Sequence, residues 1–95
     1  MQTKEKISLM DKIVRELEDV INSQTSVLKK IAQIEADNIN LGDESLSNSL
    51  PDIHGHVDAA LTATTELQTK FKEIHDEFVA KNPISEETAS PGTTN

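Results

Sequence analysis

Residues 10–41, MDKIVRELEDVINSQTSVLKKIAQIEADNINL, decide the fold. Steps of three and four residues from Met10 reach Ile13, Leu17, Val20, Gln24, Val27, Ile31, Ile34, Asn38 and Leu41, and eight of these ten positions, Met10 included, are apolar. That spacing marks one face of a helix, because a strand would alternate every second residue. No Gly or Pro interrupts residues 4 to 39, so a helix over about 4–40, some ~50 Å long, is predicted. Thr3, or Ser8 with Asp11, offers the start. Gly42 offers the stop, since a left-handed residue closes helices, and the DESLSNS that follows is rich in turn formers.

Beyond that turn, placed at about 41–49, the same stepping resumes through Leu50, Ile53, Val57, Ala60, Thr64, Leu67, Phe71, Ile74, Phe78 and Lys81. Ser49 serves as N-cap of a second helix over about 50–81, Pro51 falls in its first turn, and Asp52 suits its positive end. Lys81-Asn82-Pro83 ends it. A short connection between two long helices makes them antiparallel neighbours. The layers then run from Leu41/Leu50 and Asn38/Ile53 to Leu17/Ile74, Ile13/Phe78 and Met10/Lys81. The expected fold is all-α, a long antiparallel helical hairpin resembling a two-helix coiled coil. It forms one domain over 1–82, followed by an acidic tail over 83–95. ISEETASPGTTN in that tail has too little apolar surface to offset its ordering entropy and is expected to be disordered.

A second stripe, Val14, Ile21 and Leu28, runs one position from the seam. The combined face is too wide for one partner helix. Each of these side chains left in water forgoes about 1.5–3 kcal/mol. The stripe is therefore the expected interaction face, covered by a second copy in a four-helix bundle or by another protein.

Charge adds direction. No Lys or Arg lies between Lys30 and Lys70, whereas Glu35, Asp37, Asp43, Glu44, Asp52, Asp58 and Glu66 do. Folding the chain in two gathers Asp43, Glu44, Asp52 and Asp58 into an acidic turn end and most bases at the open end. Two copies should then pack antiparallel.

Composition excludes several classes. The net charge of −8 and the absence of Trp and Tyr argue against nucleic-acid binding. No run is apolar enough to span a membrane, and no leader is recognisable, so the default compartment is the cytoplasm. The chain has no Cys, no nucleophile elbow and no Gly-rich loop, so neither an enzyme nor a cofactor is expected. His54 and His56, among Asp52 and Asp58, are the one candidate metal pair, but positions two apart on a helix diverge, and local pairing at the cap is the favoured reading. With those carboxylates they also form a candidate pH-responsive end. His75 reads as a flanking side chain. Gln24, Asn38 and Thr64 sit at seam positions where polar groups either set register or return to backbone or solvent.

In length, lack of cysteine and hairpin outline the chain resembles the small helical-hairpin proteins of the WXG100 class. Asn40-Leu41-Gly42 keeps the Gly of that class's Trp-x-Gly turn signature, without its Trp, and no Tyr-x-x-x-Asp/Glu follows the second helix. The resemblance implies dimers and export with a partner. From the residues themselves the leading expectation is a self-associating helical adaptor or assembly factor of bacterial or phage type. A small-ligand or metal-binding helical oligomer, and an acidic mimic blocking a basic site, are the alternatives.

Overall fold

A computed structural model describes residues 1–83. Helix α1 (Thr3–Leu41) and helix α2 (Glu44–Lys81) lie side by side as an extended antiparallel hairpin, 67 × 18 × 18 Å. The fold class is the one the heptads imply. Residues 84–95, nearly all of the expected disordered tail, lie outside the described part.

The turn is far shorter than the eight or nine residues expected. Gly42 and Asp43 alone make it, and α2 starts at Glu44 rather than near Leu50. Gly42 takes the left-handed conformation (φ 72°, ψ 31°), and its N–H donates to the Asn38 carbonyl at 2.7 Å. Asp43 is the N-cap of α2: its carboxylate accepts from the Leu46 N–H at 2.9 Å and from the Ser45 hydroxyl. Both hydrogen bonds hold the Asp43 carboxyl below the usual carboxylate range, the Ser45 one most strongly.

Asn38 fastens α1 to this cap. Its Oδ1 accepts from the Asp43 N–H at 2.8 Å, and its Nδ2 donates to the Asp43 carbonyl at 3.1 Å and the Ser47 hydroxyl at 2.8 Å. Starting α2 this early also brings Leu46 and Leu50 onto one face, and Leu50 becomes buried. Ser49 is consequently not a cap, and Pro51 sits inside α2. There its nitrogen has no hydrogen for the Ser47 carbonyl.

The short turn shifts the pairing along the whole rod. Asp11 meets His75, and Glu18 meets Gln68, whereas the expected layers set Leu17 beside Ile74. It also changes which rows face inward. Met10, Ile31 and Asn38 are buried in α1, and Leu50 and Gln68 in α2. Half-buried residues complete the seam: Ile7, Val14, Leu17, Ile21, Gln24, Leu28 and Glu35 from α1, and His54, Val57, Leu61, Thr64, Phe71, His75 and Phe78 from α2.

One row of each expected seam is thus correct and the other is not. Val14, Ile21 and Leu28, the expected interaction face, turn into the hairpin, while Val20, Val27 and Ile34 turn out. The polar members of the observed seam account for this choice. Glu35 meets His54 at 3.3 Å, Gln68 Nε2 donates to Glu18 at 2.8 Å and to the Val14 carbonyl at 3.3 Å, and His75 reaches Asp11 at 2.7 Å. Such groups are acceptable between helices only when paired, and this register pairs them.

Candidate docking face

Two helices alone make a thin core: Met10, Ile31 and Leu50 are the apolar side chains buried within the described rod. What the hairpin leaves out is more apolar than much of what it encloses. The outward row of α1 is Ile13, Val20, Val27, Ile34 and Leu41, and that of α2 is Ile53, Ala60, Leu67 and Ile74. Val20, Val27, Ile34, Ile53, Leu67 and Ile74 are each between 37% and 53% exposed, half-covered where neighbouring charged side chains would normally stand free.

Both rows occupy the same heptad position, one step before an inward residue. In an antiparallel pair like positions lie on the same side of the seam. Side-chain packing agrees, because Val20, Val27 and Gln24 of α1 and Val57, Ala60 and His56 of α2 line one shared groove of about 460 Å³. The groove is open along the rod. At mid-seam within it, Gln24 Oε1 is buried without a hydrogen-bond partner.

The opposite flank differs in kind. Its rows carry Asp11, Glu18, Thr25, Ala32 and Ile39 on α1 and Pro51, Asp58, Thr65, Lys72 and Val79 on α2. Thr25 hydrogen bonds back to the Ile21 carbonyl at 2.8 Å, while Asp11 and Glu18 hold His75 and Gln68 across the seam. Ile39 and Pro51 form a small apolar spot near the turn on this side. Aliphatic side chains thus run along one side of the rod, while the other side is mixed, with polar and ionisable groups among Ala32, Ile39, Pro51 and Val79.

The remaining candidates separate. His54 faces Glu35 in the seam, whereas His56 lines the outward groove, so the two imidazoles are not brought together. No group of three or more His, Asp or Glu side chains among the described residues is placed to hold a metal ion. Asp43, Glu44 and Asp52 are exposed near the turn, although the Asp43 carboxylate is occupied as a cap, whereas Asp58 is exposed about 20 Å along α2 and does not join the expected acidic end. Thr64 returns to its own helix, donating to the Ala60 carbonyl at 2.8 Å.

His75, expected as a flanking side chain, is a seam residue instead. Its Nδ1 lies 3.0 Å from Asp76 and its Nε2 2.7 Å from Asp11, the latter a charge contact with poor hydrogen-bond alignment. The bond to Asp76 raises its pKa above 6.5, the Asp11 contact adds to this, and partial burial opposes it. Lys6 closes the open end over the Phe78 ring, 4.7 Å from its centre. The sequence signal for the outward face was present in Val20, Val27, Leu67 and Ile74. Without the turn length, nothing distinguished it from the seam.

Among the described residues no helix is long and apolar enough to cross a membrane. No family model matches the chain, and neither curated proteins nor solved structures provide a match.

Proposed function

We propose that this chain is a non-catalytic protein-interaction module, a helical adaptor or assembly factor that docks other helices along its outward apolar face. The observation that carries the reading is the distribution of side chains. Apart from Gln24, whose Oε1 faces the groove unpartnered, the polar and ionisable side chains of the seam are paired, while an aliphatic row from each helix is left outside on one flank. A hairpin built only for itself would gain more by enclosing Leu67 and Ile74 than Gln68 and His75. Rows of inward residues plus one outward flank suit the wide helix faces of a four-helix bundle.

A small-ligand site is supported less well, because the mid-rod groove is open along its length and enclosure is what such sites require. His54 pairs with Glu35 across the seam and His56 lines the outward groove, a separation that likewise weighs against a shared metal.

The test is photo-cross-linking in the native host from a benzophenone amino acid at position 27, on the outward row, and at position 25, on the polar flank. Protein adducts from position 27 and few from position 25 are expected. Equal labelling, or labelling of neither, would reject the docking face.

A further inference from the structure

We infer that the occupant of the outward face is a second copy of this chain, laid face to face and end for end, with its two-fold axis at the level of Ser23 and Ala63. This rests on the docking reading above. It goes beyond that reading by naming the partner, its direction and its register.

The first argument is the symmetry of the apolar rows. Short of Leu41 at the turn, the α1 row of Ile13, Val20, Val27 and Ile34 is centred between Ser23 and Gln24, and Ile53, Ala60, Leu67 and Ile74 are centred between Ala63 and Thr64. The register that joins Asp11 to His75 and Glu18 to Gln68 sets Ser23 level with Ala63, so the two centres fall within one residue, roughly 1.5 Å, of one height on the rod. A face with that property maps onto itself when a copy is turned end for end. Ile13 then meets Ile34 of the second copy, Val20 meets Val27, Ile53 meets Ile74, and the small Ala60 meets the larger Leu67. Packing of large against small is what interdigitating helix faces require.

Charge chooses the direction. Glu16 and Lys30 are exposed beside the α1 row, equidistant from Ser23. Turning the copy end for end brings Glu16 of each chain beside Lys30 of the other. It also lays the turn half, residues 24–62 with six acids and two bases, against the open half, residues 1–23 and 63–83, whose seven bases offset most of its nine acids. A parallel pair would place the two turn halves side by side.

Area and hydrogen bonding agree. About 58 Å of helix on a rod 18 Å wide presents a face of roughly 1,000 Å² per copy, which gives about 2,000 Å² in the pair, a size adequate for a specific interface. The Gln24 oxygen that lacks a partner in the hairpin lies next to the axis. There each Gln24 amide can donate to the oxygen of the other, the kind of paired polar group that sets register in helical bundles.

The experiment uses the full chain. Sedimentation equilibrium should give twice 10.4 kDa. Because the chain has no native cysteine, single-cysteine variants report direction cleanly. With a short bismaleimide, Ser23→Cys should link efficiently to itself and Asn48→Cys should not. Glu16→Lys and Lys30→Glu should each weaken the dimer roughly 3–10-fold, as exposed charge pairs do, and the double exchange should restore it, with helicity unchanged throughout.

Dimers that link through position 48, or that the double exchange leaves weakened, overturn the antiparallel register. A monomeric mass at 100 micromolar, on the order of a hundred times a micromolar Kd, overturns the second copy as occupant. In that case position-27 adducts to a different protein would leave the docking face standing, and the absence of any adduct would reject both.

Discussion

The imidazole of His75 on α2 reaches across the seam to the carboxylate of Asp11 on α1, 2.7 Å away, while its other ring nitrogen faces Asp76 at 3.0 Å. Both contacts are satisfied together only by the doubly protonated ring. The folded-state pKa is therefore raised above 6.5. A raised value means that stability from this group is complete below about 6.5, the unfolded pKa of His, and is lost as pH rises through the higher folded value. Urea midpoints at fixed protein concentration should fall from pH 5.5 to pH 8.5, and His75→Gln should flatten that slope. An equal slope in the variant would remove His75 as its source.

Asn38 makes a different prediction. Its amide satisfies the Asp43 N–H and carbonyl together with the Ser47 hydroxyl, so Asn38→Ala takes the partner of the Asp43 N–H, while the Asp43 carbonyl keeps the Ser47 N–H and hydroxyl. The expected loss is about 1–3 kcal/mol, read as a lower urea midpoint with little change in m-value. Asn38→Leu should not rescue it, although Leu is a better seam residue by pattern. Rescue by Leu would mean that the hydrogen bonds matter less than the packing.

The two described glycines should respond in opposite directions. A Cβ at Gly42 meets nothing within 4 Å, but φ of 72° penalises any L side chain, so Gly42→Ala should cost about 1 kcal/mol. Gly55 also has room for a Cβ and sits within α2, where Gly55→Ala should add about 0.5–1 kcal/mol. Thermal melts of both variants, made side by side, measure this difference.

Pro51→Ala tests where α2 begins. Inside a helix that starts at Glu44, proline removes one backbone hydrogen bond, so alanine should stabilise by about 1–3 kcal/mol. At the first turn of a helix starting near Leu50, the same substitution would be neutral or harmful. Amide exchange across residues 44–50 gives the independent readout, with protection expected in the wild-type chain.

The part of this architecture that was legible in the sequence followed from the 3.5-residue period, which needs no knowledge of the turn. Helicity and the 10/17/24/31/38 and 50/57/64/71/78 rows follow from it, and antiparallel pairing follows from the shortness of any connection that the chain leaves between the two helices. Choosing the second inward row required the register, and the register depended on Asp43 rather than Ser49 being the cap. Both have the right chemistry, and Pro51 favours the later site on local grounds. What decides against it is the bonding of Asn38 to Asp43 and Ser47, a contact between helices that no single-helix signal encodes. The same is true of His75, whose role comes from Asp11 on the other helix. The row containing Val14, Ile21 and Leu28 and the row containing Val20 and Val27 are equally aliphatic, so hydropathy alone could not rank them.

The two-residue turn has a mechanical consequence. It leaves residues 3 and 81 at the same pole of the rod, so tension applied between them does not shear the helices past one another. It peels them apart, loading Lys6 with Phe78 first, then Asp11 with His75, and Asn38 with Ser47 last. Each layer carries the load alone before the next is reached. The hairpin should therefore open at low force in small steps, and close again from the turn, where the two helices are never far apart.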